Sequence, residues 1–300
     1  MLTLIVLALS LLGGNPEPGG DRSSDTKLDA VATMRVTRGI KYIDRPGTAD
    51  GLTSLDVYQP SNESEELRPI LLYIHGGGWA IGDKANVWLR PQWAFENDWV
   101  LVSVNYRLSP AVMHPEHARD VAAAIAFVHQ RAAEYGADPD RIVIMGHSAG
   151  AHLAGIVATD ETLLGEYGLA PSDLQGVVLL DGAAYNIPSQ MKSAWLGEKT
   201  RAMFEQAFGL DPALWVQASP TLQAVVGDEL PPLLAVHVPR LRARFEAIEL
   251  VGVWNETGAQ ATRYFAPNKD HASLNRLMGR KNDPDTQVVE LFIRAAFGQE

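Results

Sequence analysis

The chain of 300 residues contains no cysteine. Disulfide bonds, thiolate metal sites and a cysteine nucleophile are therefore excluded. The absence of cysteine leaves the cellular compartment open, because exported proteins can be stable without disulfide bonds.

An excess of positive charge is also lacking. The chain has 25 Lys and Arg against 36 Asp and Glu, which gives a net charge of -11 and a pI of about 5.2. Binding to nucleic acid or to an anionic membrane surface requires clustered basic side chains. We therefore expect no nucleic-acid partner.

Residues 2–12 form an apolar run that is too short to span a bilayer but has the length of a signal-peptide core. The residues after it are rich in Gly, Pro and Ser, so residues 1–27 are predicted to be a signal peptide and a polar linker. The protein is accordingly expected to be exported, periplasmic or secreted, with no stable membrane span. No Lys or Arg precedes the run, so a buried first strand in a cytoplasmic protein is the alternative.

The sequence G-H-S-A-G at residues 146–150 is the first motif that indicates chemistry. It follows an apolar run at 141–145 and precedes an alanine-rich helical pattern, which places Ser148 on a sharp turn between a strand and a helix. Small residues on both sides of the serine allow this strained turn, and the amides that open the helix favour developing negative charge. Ser148 is therefore a candidate nucleophile.

A second motif, H-G-G-G-W at residues 75–79, follows the apolar run 70–74. Three glycines after a strand form a loop without Cβ atoms, so its amide groups can approach a substrate carbonyl oxygen. We assign the amides of Gly77, Gly78 and Ala149 to an oxyanion hole. A turn that needs glycine only for its backbone angles is the alternative, but such a turn rarely includes the flanking His and Trp.

A candidate base lies near the carboxyl end of the chain. The run 260–266 alternates as a strand does, the next two residues end it, and His271 follows before a helical pattern. His114 and His117 resemble a metal pair, but Pro115 indicates a helix entrance there and no third ligand is evident. No metal and no cofactor are expected.

These motifs resemble those of the α/β-hydrolases of the hormone-sensitive-lipase and bacterial esterase/lipase group, which includes feruloyl esterase-like and kynurenine formamidase-like enzymes. The resemblance extends from about Leu55 to Asn275 and includes N-Y-R-L-S-P at 105–110 and K-D-H-A-S-L-N at 269–275. It implies that Ser148 attacks an ester or amide carbonyl and that His271 is the general base.

The acid that should orient His271 departs from the pattern of this group. The resemblance implies an aspartate a few residues beyond the predicted strand 233–237, near residues 241–243, where this chain has Leu, Arg and Ala. Glu246 is the nearest carboxylate and the first candidate for the acid that orients His271. Asp181, at the end of the predicted strand 177–180, is the alternative, because its loop also lies at the carboxyl edge of the sheet.

Alternating strand and helix patterns predict an α/β fold with a mostly parallel sheet covered by helices on both faces. We expect residues 28–300 to form one α/β-hydrolase domain. Residues 182–232 have no strand signal and contain several aromatic side chains, which indicates a helical cap over the nucleophile. Strands are predicted near 35–42, 52–59, 70–75, 99–106, 141–145, 176–180, 233–237 and 261–265.

The predicted function is a serine hydrolase that cleaves small to medium carboxylic esters through an acyl-enzyme. Two alternatives stay open at this point. One is an arylformamidase of the kynurenine formamidase-like type, because the resemblance includes such enzymes. The other is a weakly active or inactive hydrolase-fold protein that binds a ligand, because the usual aspartate is absent. The sequence indicates no particular oligomeric state.

Overall fold

The computed structural model describes residues 33–62, 64–194, 196–225 and 229–299. The predicted signal peptide and linker, residues 1–27, lie outside the described residues, so export stays a prediction. Among the described residues, no helix is both long enough and apolar enough to cross a membrane.

The described strands form one sheet of eight, in the order β1-β2-β4-β3-β5-β6-β7-β8. Strands β3 to β8 are parallel to one another, whereas β2 is antiparallel to both of its neighbours, β1 and β4. Each predicted strand is found, and the α/β-hydrolase fold class is confirmed. The bounds are β1 Met34–Lys41, β2 Ser54–Pro60, β3 Arg68–Ile74, β4 Val100–Val104, β5 Ala137–His147, β6 Gly176–Leu180, β7 Leu233–His237 and β8 Ala261–Phe265.

Helices occupy the connections from β3 to β8 and also follow β8. The described α-helices are α1 Arg90–Glu96, α2 Glu116–Arg131, α3 Ala149–Val157, α4 Glu161–Gly165, α5 Ile187–Lys192, α6 Glu198–Phe208, α7 Pro212–Gln217, α8 Pro220–Gln223, α9 Leu241–Glu256, α10 His271–Leu277 and α11 Pro284–Ala296. Four of them, α5 to α8, lie in the predicted cap segment between β6 and β7.

The apolar core lies on both faces of the sheet. In β3, Ile70 and Ile74 belong to one buried cluster, and Leu71 and Tyr73 belong to the cluster on the opposite face. The first cluster also contains side chains of α2, α3 and α9, and the second contains side chains of α1 and α11. Central strands buried on both faces need continuous apolar runs, which explains why they stand out in the sequence.

The carboxyl ends of the parallel strands meet at one edge of the sheet. The glycine loop follows β3, Ser148 follows β5, Asp181 follows β6 and His271 follows β8. Open α/β sheets bind ligands at this edge, because the loops there converge while the helices cover the faces. The fold therefore places the candidate residues together although they are far apart in sequence.

Candidate active site

Ser148 lies on the sharp turn between β5 and α3, with φ 55° and ψ -117°. This left-handed backbone is strained for a residue with a side chain, and it directs the hydroxyl away from the sheet. A Cβ on Gly146 would lie 2.1 Å from the Gly150 carbonyl oxygen, and a Cβ on Gly150 would lie 2.2 Å from that of Ile74. Both glycines are therefore required for the turn to pack against β3.

His271 contacts Ser148 and Asp181 through its two ring nitrogens. The Ser148 hydroxyl donates to Nε2 of His271 across 3.1 Å. Nδ1 of His271 donates to Oδ2 of Asp181 across 2.6 Å. The three side chains thus form a continuous Ser-His-Asp hydrogen-bond chain, in which the carboxylate fixes the tautomer that leaves Nε2 free to accept a proton. The sequence placed His271 in the loop before a helix, and the structure makes it the first residue of α10.

Asp181 has a fully buried side chain and the left-handed angle φ 44°. Burial alone would raise its pKa, but the hydrogen bond from His271, the charge of Arg240 and the Val238 amide outweigh burial and lower the pKa below its usual value. Arg240 Nε lies 2.9 Å from Oδ2, and the Val238 amide donates to Oδ1 across 3.2 Å. Asp181 is therefore held ionised with both oxygens occupied.

Glu246, the acid expected from the sequence, does not contact His271, so this expectation is wrong. Its Oε2 accepts from the Tyr185 amide across 3.1 Å, and its Oε1 accepts from Nε2 of Gln190 in the cap. Burial raises the pKa of Glu246 to about 7, although the Tyr185 amide opposes the shift. Glu246 does not reach His271 because of the direction of its side chain on α9. It belongs to the buried stripe of that helix and bonds to residues of the cap.

The glycine loop after β3 lies beside the nucleophile. Gly77 has φ 129° and Gly78 has φ 58°, angles that side chains disfavour. A Cβ on Gly77 would lie 1.9 Å from the Ile81 carbonyl oxygen. Among the described residues, the amides of Gly77, Gly78 and Ala149 donate to no protein acceptor, and all three residues line the same cavity as Ser148. They are thus available to an oxygen atom placed near the serine.

Trp79 anchors the glycine loop to the cap, a role that the sequence did not reveal. Its side chain is 2% exposed, and its Nε1 donates to Nδ1 of His152 across 3.3 Å. Its ring packs edge-on against Phe204 and Phe208 of α6, with centroid distances of 5.7 and 4.8 Å. The sequence contained a signal for this packing: a tryptophan directly follows the glycines, and the predicted cap is rich in aromatic residues.

His147, the residue before the nucleophile, holds the backbone of the candidate base. Its Nε2 donates to the His271 carbonyl oxygen across 2.9 Å, and the two rings lie 4.5 Å apart. Burial, followed by the charge of His271, lowers the pKa of His147 to about 3. His147 is therefore neutral under ordinary conditions and positions His271 without competing for its proton.

A cavity of about 890 Å³ opens above Ser148. Its floor is formed by the glycine loop, Ser148 and His271, and its roof by residues of α5 and α6 in the cap. This volume is in the range of sites that bury a small organic molecule.

In the part of the chain that the structure describes, no three His, Asp or Glu side chains come together as metal ligands.

A serine on a strand-to-helix turn, hydrogen-bonded through a histidine to a buried aspartate beside a glycine loop, defines an α/β-hydrolase. The BD-FAE family model matches residues 55–237, which is more than half of the chain. The chain belongs to the BD-FAE family. The match covers Ser148, Asp181 and the glycine loop and ends before His271. The resemblance to the hormone-sensitive-lipase and bacterial esterase group is confirmed.

Curated relatives and solved structures agree with this family. Esterase LipQ of Mycobacterium tuberculosis is 32% identical over 247 residues, 76% of this chain and 55% of LipQ. A probable isoprenylcysteine alpha-carbonyl methylesterase of Arabidopsis thaliana, ICMEL1, is 37% identical over 128 residues, 43% of this chain and 26% of that protein. The chain thus spans about half, or less, of the length of these relatives.

The crystal structure of esterase B from Lactobacillus rhamnosis has the same fold. The two structures superimpose with a TM-score of 0.69 and 22% sequence identity, covering 88% of this chain and 85% of that chain. At this level of identity the likeness concerns the fold, and the chemistry rests on the residues of the site.

Proposed function

We propose that the protein is a serine carboxylesterase that hydrolyses small to medium carboxylic esters. The observation that carries this proposal is the chain of hydrogen bonds from Ser148 through His271 to Asp181, at 3.1 and 2.6 Å. Ser148 lies at the floor of a cavity that the glycine loop also lines, and the amides of Gly77 and Gly78 donate to no acceptor among the described residues.

The reaction proceeds in two steps through these groups. In the first, Oγ of Ser148 attacks the ester carbonyl while Nε2 of His271 takes its proton, and the oxyanion accepts hydrogen bonds from the amides of Gly77, Gly78 and Ala149. The tetrahedral intermediate then expels the alcohol, which receives the proton from His271. In the second step, water loses a proton to His271 and attacks the acyl-enzyme, and Ser148 regains the proton as the acid leaves.

Asp181 stabilises the imidazolium that forms in both steps. Its pKa is lowered in the folded protein, so it carries a negative charge at neutral pH. An anion on Nδ1 keeps the ring in the reactive tautomer and compensates the positive charge. The second alternative from the sequence, an inactive binding protein, was motivated by a missing acid, and the position of Asp181 removes that motivation.

The relatives support ester chemistry over formamide chemistry. LipQ is an esterase by name, and the Arabidopsis relative is named as a probable methylesterase. An arylformamidase is therefore not favoured. The cavity of about 890 Å³ accommodates small and medium esters, and residues of the cap line it.

Hydrolysis of p-nitrophenyl acetate tests the proposal, with Ser148→Ala as the decisive variant. We expect activity and stoichiometric fluorophosphonate labelling for the wild-type protein, and neither for Ser148→Ala, since the nucleophilic oxygen is gone. Ser172→Ala is the matched control, because Ser172 is exposed on a distant 3-10 helix and should be silent. Activity of Ser148→Ala near the wild-type rate would refute the proposal, and faster turnover of N-formylkynurenine than of esters would favour the formamidase.

A further inference from the structure

Three arginine side chains line one wall of the catalytic cavity. Arg240 and Arg242 come from the junction between β7 and α9, and Arg276 comes from α10. No Asp or Glu lines the cavity among the described residues. Its two other histidines, His75 and His147, have lowered pKa values because they are buried, so they are neutral. The charge of the cavity wall is therefore carried by arginine.

The three guanidinium groups differ in how they are occupied. Arg240 forms an ion pair with Asp181, with Nε 2.9 Å from Oδ2. Arg242 Nη1 donates to Oε1 of Gln190 across 3.3 Å, and the charge of Arg242 opposes the rise that burial causes in the pKa of Glu246, without a direct ion pair between the two side chains. Arg276 is exposed, and its charge contributes, after the hydrogen bonds of Ser273, to the lowered pKa of Asp270 at the surface. Within the described residues neither Arg242 nor Arg276 forms an ion pair.

A cationic wall is unexpected in this protein. The chain has a net charge of -11, yet among the described residues that line its catalytic cavity there are three arginines and no Asp or Glu. A cleft lined by charges of one sign concentrates the electric field and raises the local concentration of ligands of opposite charge. Guanidinium groups pair with carboxylates in a planar, two-bond geometry, which makes an anionic group on the substrate their natural partner.

The opposite wall of the cavity is apolar. Ile81 and Trp88 line it and are 70% and 52% exposed, which is unusual for large apolar side chains. They follow β3, whereas the arginines follow β7 and β8. Ser148 follows β5, which lies between these strands in the sheet. A substrate bound at Ser148 therefore meets an apolar surface on one side and guanidinium groups on the other.

We propose that the preferred substrates are esters that carry a second, ionised carboxylate, which binds Arg242 and Arg276 while the remainder lies against Ile81 and Trp88. This inference rests on the proposed esterase function and specifies its substrate class. The carboxylate is carried either by the acyl group or by the alcohol group, and the two arms of the experiment separate these cases.

Two pairs of esters, each differing by one methyl group, test the inference. Monomethyl adipate against dimethyl adipate places the charge on the acyl side, and 4-acetoxybenzoate against methyl 4-acetoxybenzoate places it on the leaving group. The quantity measured is the ratio of kcat/KM for the charged ester to that for the neutral ester. Comparing this ratio between protein variants removes the difference in intrinsic reactivity within each pair.

In the double variant Arg242→Gln/Arg276→Gln, we expect this ratio to fall about ten-fold or more in at least one pair. The change should be mainly in KM, because the two guanidinium groups bind the carboxylate in the bound substrate as well as in the transition state. The wild-type ratio should also fall as NaCl is raised from about 0.02 to about 0.5 M. Arg244→Gln is the matched control, because Arg244 lies on the same helix but outside the cavity. Its ratio should equal that of the wild type.

The inference is overturned if the ratios of the double variant stay within about two-fold of wild type in both pairs. Circular dichroism shows whether the double variant folds. If it does not fold, the single variants and the salt dependence of the wild-type ratio replace it, and unchanged ratios in both overturn the inference. A failure of the proposed function is a different result: wild-type protein would then hydrolyse neither p-nitrophenyl acetate nor any neutral ester and would not react with fluorophosphonate.

Discussion

Changing Asp181 to asparagine should nearly abolish turnover while leaving the fold intact. In the wild-type protein Oδ1 accepts from the Val238 amide at 3.2 Å, and Oδ2 accepts from His271 at 2.6 Å and from Arg240 at 2.9 Å. An asparagine that keeps the Val238 contact presents its NH₂ group to two donors. The opposite orientation places that NH₂ against the Val238 amide, so neither rotamer replaces the carboxylate.

The size of the effect follows from what the carboxylate does. Without an acceptor on Nδ1, His271 loses the tautomer that accepts the serine proton, and the imidazolium loses its compensating charge. The corresponding change in serine proteases lowers kcat by about 10⁴-fold. Because Asp181 is fully buried and Arg240 partly neutralises it, we expect a loss of about 10³- to 10⁴-fold, equivalent to about 4 to 5.5 kcal/mol of transition-state stabilisation.

The assay is kcat/KM for p-nitrophenyl acetate, with Glu246→Gln as the control for a second buried carboxylate. Glu246 bonds to Tyr185 and Gln190 and does not contact His271, so its amide variant should stay within about three-fold of wild type. Fluorophosphonate labelling of Ser148 should slow in Asp181→Asn by a similar factor to hydrolysis. A loss of more than about a hundred-fold in Glu246→Gln, with Asp181→Asn near wild type, would refute the assignment of Asp181.

Two further predictions rest on Glu246 and on the glycine loop, and a third rests on the amino-terminal sequence. Burial raises the pKa of Glu246 from 4.5 to about 7, so the folded state binds its proton more tightly, and this stabilisation of about 3 kcal/mol is lost as pH rises from 4.5 through about 7. Urea unfolding between about pH 4.5 and 8 should show this decline in wild type and a flatter profile in Glu246→Gln; identical profiles would contradict it. Gly77→Ala should lower kcat/KM by at least about a hundred-fold, because its Cβ would lie 1.9 Å from the Ile81 carbonyl oxygen, while Gly252→Ala, which meets no atom within 4 Å, is the silent control. Equal activity of both glycine variants would show that the loop does not need its present shape. Export stays a prediction: expressed with its own amino terminus in a bacterial host, the mature protein should begin between residues 13 and 27, and an uncleaved terminus on cytoplasmic protein would exclude this.

The sequence predicted those parts of the site that depend on local backbone geometry. Ser148 was identified because a strained turn between a strand and a helix needs small neighbours at fixed spacing, and these glycines are visible in the sequence. The glycine loop was identified for the same reason. The central strands were found because a sheet covered on both faces requires continuous apolar runs. His271 was found by its position after the alternating run that predicted the last strand.

The acid could not be chosen from the sequence, because the choice depends on the direction of two side chains. Glu246 and Asp181 both follow strands that end at the catalytic edge. The buried residues Ala243, Glu246, Ala247 and Leu250 of α9 have helical spacing, which places Glu246 on the apolar side of that helix. This pattern was available as a signal against Glu246. Asp181 precedes Gly182, where a Cβ would lie 2.0 Å from the Tyr185 hydroxyl, so the turn after β6 is as constrained as the serine turn.

The arrangement of Asp181 and Arg240 explains how His271 can have an acid partner although the loop after β7, where the resemblance implied an aspartate, contains arginine. The acid follows β6, one strand closer to the nucleophile, and the Ser148 amide donates to the Leu180 carbonyl oxygen directly before it, across 3.0 Å. Arg240 then reaches back to Asp181 from the vacated loop and contributes to its lowered pKa. Because this contact shares the oxygen that holds His271, the arginine keeps the acid ionised and also weakens its pull on the imidazolium. Arg242, at the start of α9, lines the cavity, so with the acid after β6 the junction of β7 and α9 can present a guanidinium to the proposed substrate.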